Sequence, residues 1–221
     1  RRVPANKVEA VERLGAQVVI GEADQAEAED RARRLQREQG SVLVHPYDDP
    51  WVIAGQGTIG LELLDEVPDV DTVLVPLSGG GLISGIALAL KSASPSIRVV
   101  GVTMEGGAAM HRSLQAGKVV DVVEEDTLAD ALAGGLGSPN RYTFNMCRRY
   151  VDGTVLVSED EIAEAMVFCL EEHHLVVEGG GAVGVAALLH RKVQPGENTV
   201  VVISGGNVDP SLLMRVVKER S

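Results

Sequence analysis

Residues 71–91 read DTVLVPLSGGGLISGIALALK. An apolar run, Thr72–Val75, meets a Ser-Gly-Gly-Gly turn at Ser78–Gly81 and passes at once into a second apolar run, Leu82–Lys91. The first run has the length and β-branched content of a strand buried on both faces, and the second is long enough for a helix. Strand, tight glycine turn and helix together form the unit from which open parallel α/β sheets are wound. Such a turn can also hold an anion, because glycines let successive N–H groups converge and the helix dipole adds partial positive charge there. Glycines serve close helix–sheet packing equally well, so the turn alone leaves both uses open. It lacks the G-K-[ST] ending of a triphosphate loop, and it fits G-x-G-x-x-G only if Ser84 stands for the third glycine. The next strand, Arg98–Val102, carries no acidic residue for a ribose hydroxyl, which disfavours a dinucleotide.

On either side of this unit the same alternation recurs. Upstream, the spacing predicts a helix over 4–14 with Pro4 in its first turn and Gly15 closing it, a strand over Gln17–Ile20, a charged helix over Ala23–Glu38 and a strand over Ser41–His45. PYDDP at 46–50 marks a boundary, followed by a helix over about 51–66. Downstream come the strand at Arg98–Val102, helices near 108–116 and 141–149, a strand at Thr154–Val157, helices at Glu159–His173 and Ala182–Arg191, a strand at Thr199–Ile203 and a helix at Ser211–Glu219. Ser158 and Glu161 form a capping box. Residues 124–140, with Gly134, Gly135, Gly137 and Pro139, read equally as a site-lining loop or a plain connector. The expected architecture is an open, mostly parallel twisted α/β sheet with helices on both faces, divided into a small unit over 1–48 and a larger one over 49–221.

The bulk numbers agree with that class. A chain of 221 residues with 45% hydrophobic content has enough apolar surface for a sizeable core, and 25 glycines against 3% aromatics suit tight strand-to-helix turns. A net charge of −12 argues against nucleic acid and anionic membranes as partners, leaving small molecules. Cys147 and Cys169 form neither a C-x-x-C pair nor a disulfide framework, so a reducing, cytoplasmic setting is expected. The N-terminus has no signal-peptide pattern and no apolar run is long enough to span a bilayer. His111, His190 and the His173–His174 pair read as solvated groups.

Two more segments carry chemistry. EGGGAVG at 178–184 opens a helix, and its glycines Gly179–Gly181 read first as packing devices; Glu178 either caps that helix or faces a pocket. At 204–207, Ser-Gly-Gly-Asn ends an apolar strand, where open parallel sheets present ligand-binding groups.

Taken in order, HPYDDPWVIAGQGTIGLE (45–62), VPLSGGGLISGIA (75–87), VVEGGGAVGVAA (176–187) and VVISGGNVD (201–209) resemble the fold-type-II pyridoxal-phosphate enzymes, above all the threonine/serine dehydratase and serine-racemase-like group. Lys7–Ile20 is similar to that family's K-x-x-A-x-x-x-x-G-A-x-V element. The resemblance implies that Ser78, Gly79, Gly80, Gly81 and Leu82 cradle the phosphate of pyridoxal 5′-phosphate, that Ser204 hydrogen-bonds the pyridine nitrogen, and that Glu178 lies beside the ring. It implies β-elimination of a hydroxy amino acid to a 2-keto acid and ammonia, in a homodimer or homotetramer. A neutral serine partner leaves the ring nitrogen largely unprotonated and so a weaker electron sink, which suits elimination.

The family carries its cofactor-bearing lysine in S-[FYW]-K-x-R-G and a ring-contacting S-x-G-N-H loop. Neither occurs in these residues, and Lys7, Lys91, Lys118, Lys192 and Lys218 stand in other contexts. The chain therefore reads as the C-terminal two-thirds of such an enzyme, inactive alone, with no catalytic residue of its own. A non-catalytic binding module on the same scaffold, a racemase, and a dehydratase for an unusual β-hydroxy amino acid are the alternatives. Ser78 replaces the usual first glycine of the phosphate loop, and Asp130-Ala131 the usual Asp-Gly. Gly101-Val102-Thr103-Met104 and Ala109 lack the carboxylates of the relatives' divalent-cation site, so no metal is expected. No C-terminal regulatory domain, and so no isoleucine control, is expected either.

Overall fold

The computed structural model describes residues 5–21 and 25–220. Among the described residues its sheet holds four parallel strands: β1 (Thr72–Pro76), β2 (Arg98–Met104), β3 (Gly153–Val157) and β4 (Thr199–Val201), in the order β3-β2-β1-β4. β1 pairs with β2 in the register Thr72↔Arg98 and with β4 in the register Thr72↔Thr199, so β1 is internal and wholly buried. The chain leaves β1 toward β2 and β3, then returns to add β4 on the other side. That reversal of winding makes the crevice beyond the carboxyl ends of β1 and β4 the topological switch point, where open α/β sheets take their ligands.

Helices cover both faces. Val73 and Val75 point into a core with Ile83, Ile86 and Leu90 of α4 (Gly81–Ala93), whereas Leu74 packs with Ile162 and Met166 of α7 (Glu159–His173) and with Val183 and Ala186 of α8 (Gly179–Leu189). The two-residue period of a strand thus feeds two separate cores. α3 (Pro50–Glu66) lies against α4, and Asp49 begins it by accepting from the amides of Trp51 and Val52 at 2.8 and 3.2 Å. α5 (Ala109–Ala116), α6 (Thr143–Tyr150) and α9 (Pro210–Arg220) complete the layers, and a single 3-10 turn, Asp130–Leu132, interrupts the 124–140 segment. Among the described residues no helix is long and apolar enough to cross a membrane.

The Ser158–Glu161 capping box forms as read, with reciprocal bonds of 3.3 and 2.7 Å. Ser158→Ala is expected to remove about 1 kcal/mol of stability, or about 2–4 °C in melting temperature, measurable by thermal denaturation.

The N-terminal segment differs from expectation. α1 (Ala5–Arg13) and α2 (Gln25–Gln39) are present, but 17–20 and 41–45 are not strands. A strand exists by pairing, and the described residues offer these two segments no ladder partner, so Val42 and Val44 stand exposed. Pro4 and Ala23 lie outside the described residues. β4 stops at Val201, two residues early, with one further ladder bond from the Val202 amide to the Leu74 carbonyl at 3.0 Å. α8 begins three residues early, because Gly179–Gly181 form its first turn.

Candidate functional site

The Ser78–Gly81 turn follows β1 directly. Gly80 takes a left-handed conformation (φ 89°) and caps α4 with no side-chain hydrogen bond. Among the described residues no group accepts from the amides of Gly79, Gly80, Gly81 or Leu82. Four neighbouring donors at a helix N-terminus are thereby left for a ligand, which is the fit a phosphate requires.

The same glycines are also sterically required. A Cβ on Gly79 would lie 2.5 Å from Cδ1 of Tyr47, one on Gly81 would lie 2.9 Å from the Tyr47 Cα and carbonyl oxygen, and one on Gly80 would lie 2.8 Å from Met110 Cε and 3.0 Å from Cys147 Sγ. Close packing, one of the two uses the sequence leaves open, is present here: Tyr47 and α6 press on the turn whose amides have no acceptor among the described residues.

Beyond β4, Ser204 is exposed and its neighbour Gly205 lies under the carboxylate of Glu178. A Cβ on Gly205 would overlap Glu178 Oε1, and the Gly205 carbonyl accepts from the Glu178 amide at 3.1 Å. Glu178 occupies the N-cap position of α8 without a side-chain capping bond, which decides between its two readings: it faces a pocket. Gly179 and Gly181 are packing devices as read, the first against the Leu128 carbonyl and the second 2.7 Å, Cβ to oxygen, from the Gly205 carbonyl.

That pocket, about 130 Å3, is lined by Lys7, Asp130, Glu178, Asn207 and Asp209 among others. Lys7 Nζ and Asp130 Oδ2 form an ion pair at 2.8 Å, which ties α1 to the 3-10 turn. Burial pushes the Glu178 carboxyl above its ordinary value; the Lys7 ammonium lowers it and the Asp130 carboxylate raises it. Because the folded value is raised, the neutral form stabilises the fold below the ordinary value of 4.5, and that contribution is lost as pH rises through the folded value. Glu178→Gln is therefore expected to match the wild type in melting temperature near about pH 4 and to exceed it near about pH 7.5. A constant difference between the variants across that range would contradict the assignment.

The 124–140 segment touches both the pocket and the Tyr47 turn. Asp130 borders the pocket, the Tyr47 hydroxyl donates to the Gly135 carbonyl at 3.2 Å, and Glu29 of α2 lies against Gly137. Cys147, buried behind the glycine turn, has its thiol pushed up to about 12 by desolvation, so it is not a thiolate at neutral pH. Burial raises the Cys169 thiol as well. Sequence reasoning named Ser78–Leu82, Glu178 and Ser204. It did not assign roles to Tyr47, Asp48, the Lys7–Asp130 pair, Asn207 or Asp209, whose only local signal was proximity to a motif.

Comparison with known proteins places these features in a family. Residues 1–205 match the family model described as pyridoxal-phosphate dependent enzyme. The L-threonine ammonia-lyase of Thermotoga maritima is 45% identical over 219 residues, covering 99% of this chain and 54% of that protein. A serine racemase of Oryza sativa subsp. indica is 38% identical over 226 residues, covering 100% of this chain and 66% of that protein. The chain thus spans between about half and two thirds of the length of these curated relatives. Among solved structures, maize serine racemase superposes with a TM-score of 0.87 at 38% identity, covering 100% of this chain and 68% of that one. The processed form of threonine deaminase isoform 2 from Solanum lycopersicum does so at 0.86 and 37%, covering 98% and 60%.

Proposed function

This chain belongs to the pyridoxal-phosphate dependent enzyme family, and from that premise we propose that it forms the cofactor-cradling part of a hydroxy-amino-acid ammonia-lyase acting on an L-threonine- or L-serine-like substrate. The observation that carries the reading is the uncapped N-terminus of α4 at the switch point, beside the Ser204 turn on the adjacent strand. Similarity to an L-threonine ammonia-lyase at 45% identity supports the reaction class. When bound, pyridoxal phosphate supplies an electron sink for bond cleavage at the substrate's α-carbon.

In this reading the amides of Ser78, Gly79, Gly80, Gly81 and Leu82 donate to the phosphate, and the α4 dipole offsets its charge. Ser204 offers a neutral hydroxyl to the pyridine nitrogen, withholding the full charge that an aspartate partner would stabilise there. Glu178, held in partly desolvated surroundings that raise its carboxyl above the ordinary value, stands on the pocket side of the site. Asp130 forms part of the wall beside Glu178, and Gly135 accepts from the Tyr47 hydroxyl behind the glycine turn. The division into a small unit over 1–48 and a larger one over 49–221, and assembly as a homo-oligomer, belong to the same proposal.

The test is direct. The intact protein, supplied with pyridoxal phosphate, is expected to release 2-keto acid and ammonia from L-threonine and L-serine. The similarity to serine racemases favours a second reading, in which D-serine accumulates without keto acid. A cofactor-loaded protein that yields none of these products contradicts the assignment.

A further inference from the structure

Two adjacent aspartates follow Tyr47 and do different work. Asp49 caps α3 locally, through the amides of Trp51 and Val52. Asp48 is buried, 9% exposed, and its carboxylate reaches across more than ninety residues of sequence to the start of α6. Asp48 Oδ2 accepts from the Arg141 amide at 2.6 Å, and Oδ1 from those of Tyr142 and Thr143 at 2.8 and 2.9 Å. Tyr142, at the N-cap of α6, makes no capping bond of its own. Asp48 replaces that cap from a distance, and the charge on it is matched by three donors and the helix dipole.

The geometry around this carboxylate converges on the glycine turn. Thr143 and Cys147, both on α6, approach Gly80 so closely that a Cβ there would lie 3.1 and 3.0 Å from them. Tyr47, the residue before Asp48, covers Gly79 and Gly81. The turn that carries both residues is itself fixed by His45 Nδ1, which accepts from the Tyr47 and Asp48 amides at 3.3 and 2.9 Å. From the same side, Asn140 donates to Thr143 Oγ1 at 2.9 Å and accepts from the Phe144 amide at 2.9 Å. The phosphate loop is thus gripped between two surfaces, the Tyr47 turn and the α6 N-terminus, and one carboxylate joins them.

We infer that Asp48 is a positioning residue for the phosphate cradle: by clamping the α6 N-terminus to the Tyr47 turn it sets the curl of Gly79–Gly81 that gathers their amides. The inference rests on the proposal that this cradle binds the phosphate of pyridoxal phosphate.

The experiment compares Asp48→Asn, Asp48→Ala and Asp49→Ala in the intact protein. It measures the dissociation constant for pyridoxal phosphate by absorbance titration, the 31P resonance of the bound phosphate, and the melting temperature without cofactor. Asp48→Asn keeps the shape but turns an N–H toward the Arg141 amide, so a rise of about tenfold in the dissociation constant is expected, and more for Asp48→Ala, with a displaced 31P resonance. Asp49→Ala, which removes the local cap of α3 and none of the bonds to the start of α6, is expected to lower the melting temperature and leave the dissociation constant and the 31P resonance unchanged. Should the Asp48 variants fail to fold, Asn140→Ala weakens the same wall and is expected to raise the constant about threefold. Folded Asp48 variants that bind within about twofold of wild type with an unmoved resonance overturn the inference, as does Asp49→Ala weakening binding equally. Wild-type protein that takes up no cofactor sinks the functional reading, and this inference with it.

Discussion

Gly85→Ala is expected to lower the melting temperature of the intact protein by about 6–12 °C, a loss of about 3 kcal/mol for a chain of this size. Gly85 lies where α4 crosses α3. A Cβ there would overlap the Ile53 carbonyl oxygen and lie 2.6 Å from the Gly57 amide nitrogen, and both are backbone atoms that cannot rotate away. The helices would have to part, taking with them the packing of Ile53 and the Gly57 and Gly60 contacts that let α3 approach so closely. Alanine's better helix propensity, about 1 kcal/mol, offsets only part of this. Gly55, on the same α3, has open space within 4 Å of its would-be Cβ, and there Gly55→Ala is expected to stabilise by up to about 1 kcal/mol. Opposite signs from one chemical change, read by thermal denaturation, test the crossing itself; a destabilisation of equal size at both positions would contradict it.

The second large effect falls on the cradle. Gly79→Ala is expected to weaken pyridoxal-phosphate binding by about a hundredfold while costing less stability than Gly85→Ala. The new methyl would stand 2.5–2.6 Å from the Tyr47 ring carbons Cδ1 and Cδ2, so the ring or the turn must move. Movement of the turn misaligns its amides, and losing one or two charge-assisted hydrogen bonds amounts to about 3 kcal/mol, the energy of a hundredfold change. Cofactor titration reads the result. Retained affinity would mean that Tyr47 yields without the turn, and that the amides are placed by α4 alone. A Gly79→Ala, Tyr47→Ala double variant is expected to recover part of the lost affinity, since it removes the ring that the methyl meets.

The parts of this site that were legible in the sequence are those whose physics is local. Ser78–Gly81 announced a strand-to-helix turn because glycine spacing and apolar periodicity are properties of neighbouring residues. Ser158 and Glu161 formed their capping box for the same reason. The two roles of Asp48 and Asp49 were not separable: the dipeptide looks like one cap, and only the approach of Arg141–Thr143 gives Asp48 a different partner. The strands expected at 17–20 and 41–45 fail for a related reason. Their short apolar runs, Val18–Ile20 and Val42–Val44, satisfy the strand pattern, yet a strand is a statement about a neighbour as much as about itself.

Local pattern also left Glu178 divided between capping and facing a pocket. The N-cap backbone of α8 is extended, as a capping residue's would be, but Gly205 lets the carboxylate fold toward the pocket instead. The amino-acid order was enough for the parallel α/β class, the glycine turn after β1 and the family resemblance, because each depends on short-range periodicity or on motifs in fixed succession. Folding in three dimensions was needed to bring the β1 and β4 turns to one switch point, to shape the glycine turn with Tyr47 and α6, and to pair Lys7 with Asp130 beside Glu178. Those contacts join residues far apart in the chain, and only the winding of the sheet brings them within reach of one another.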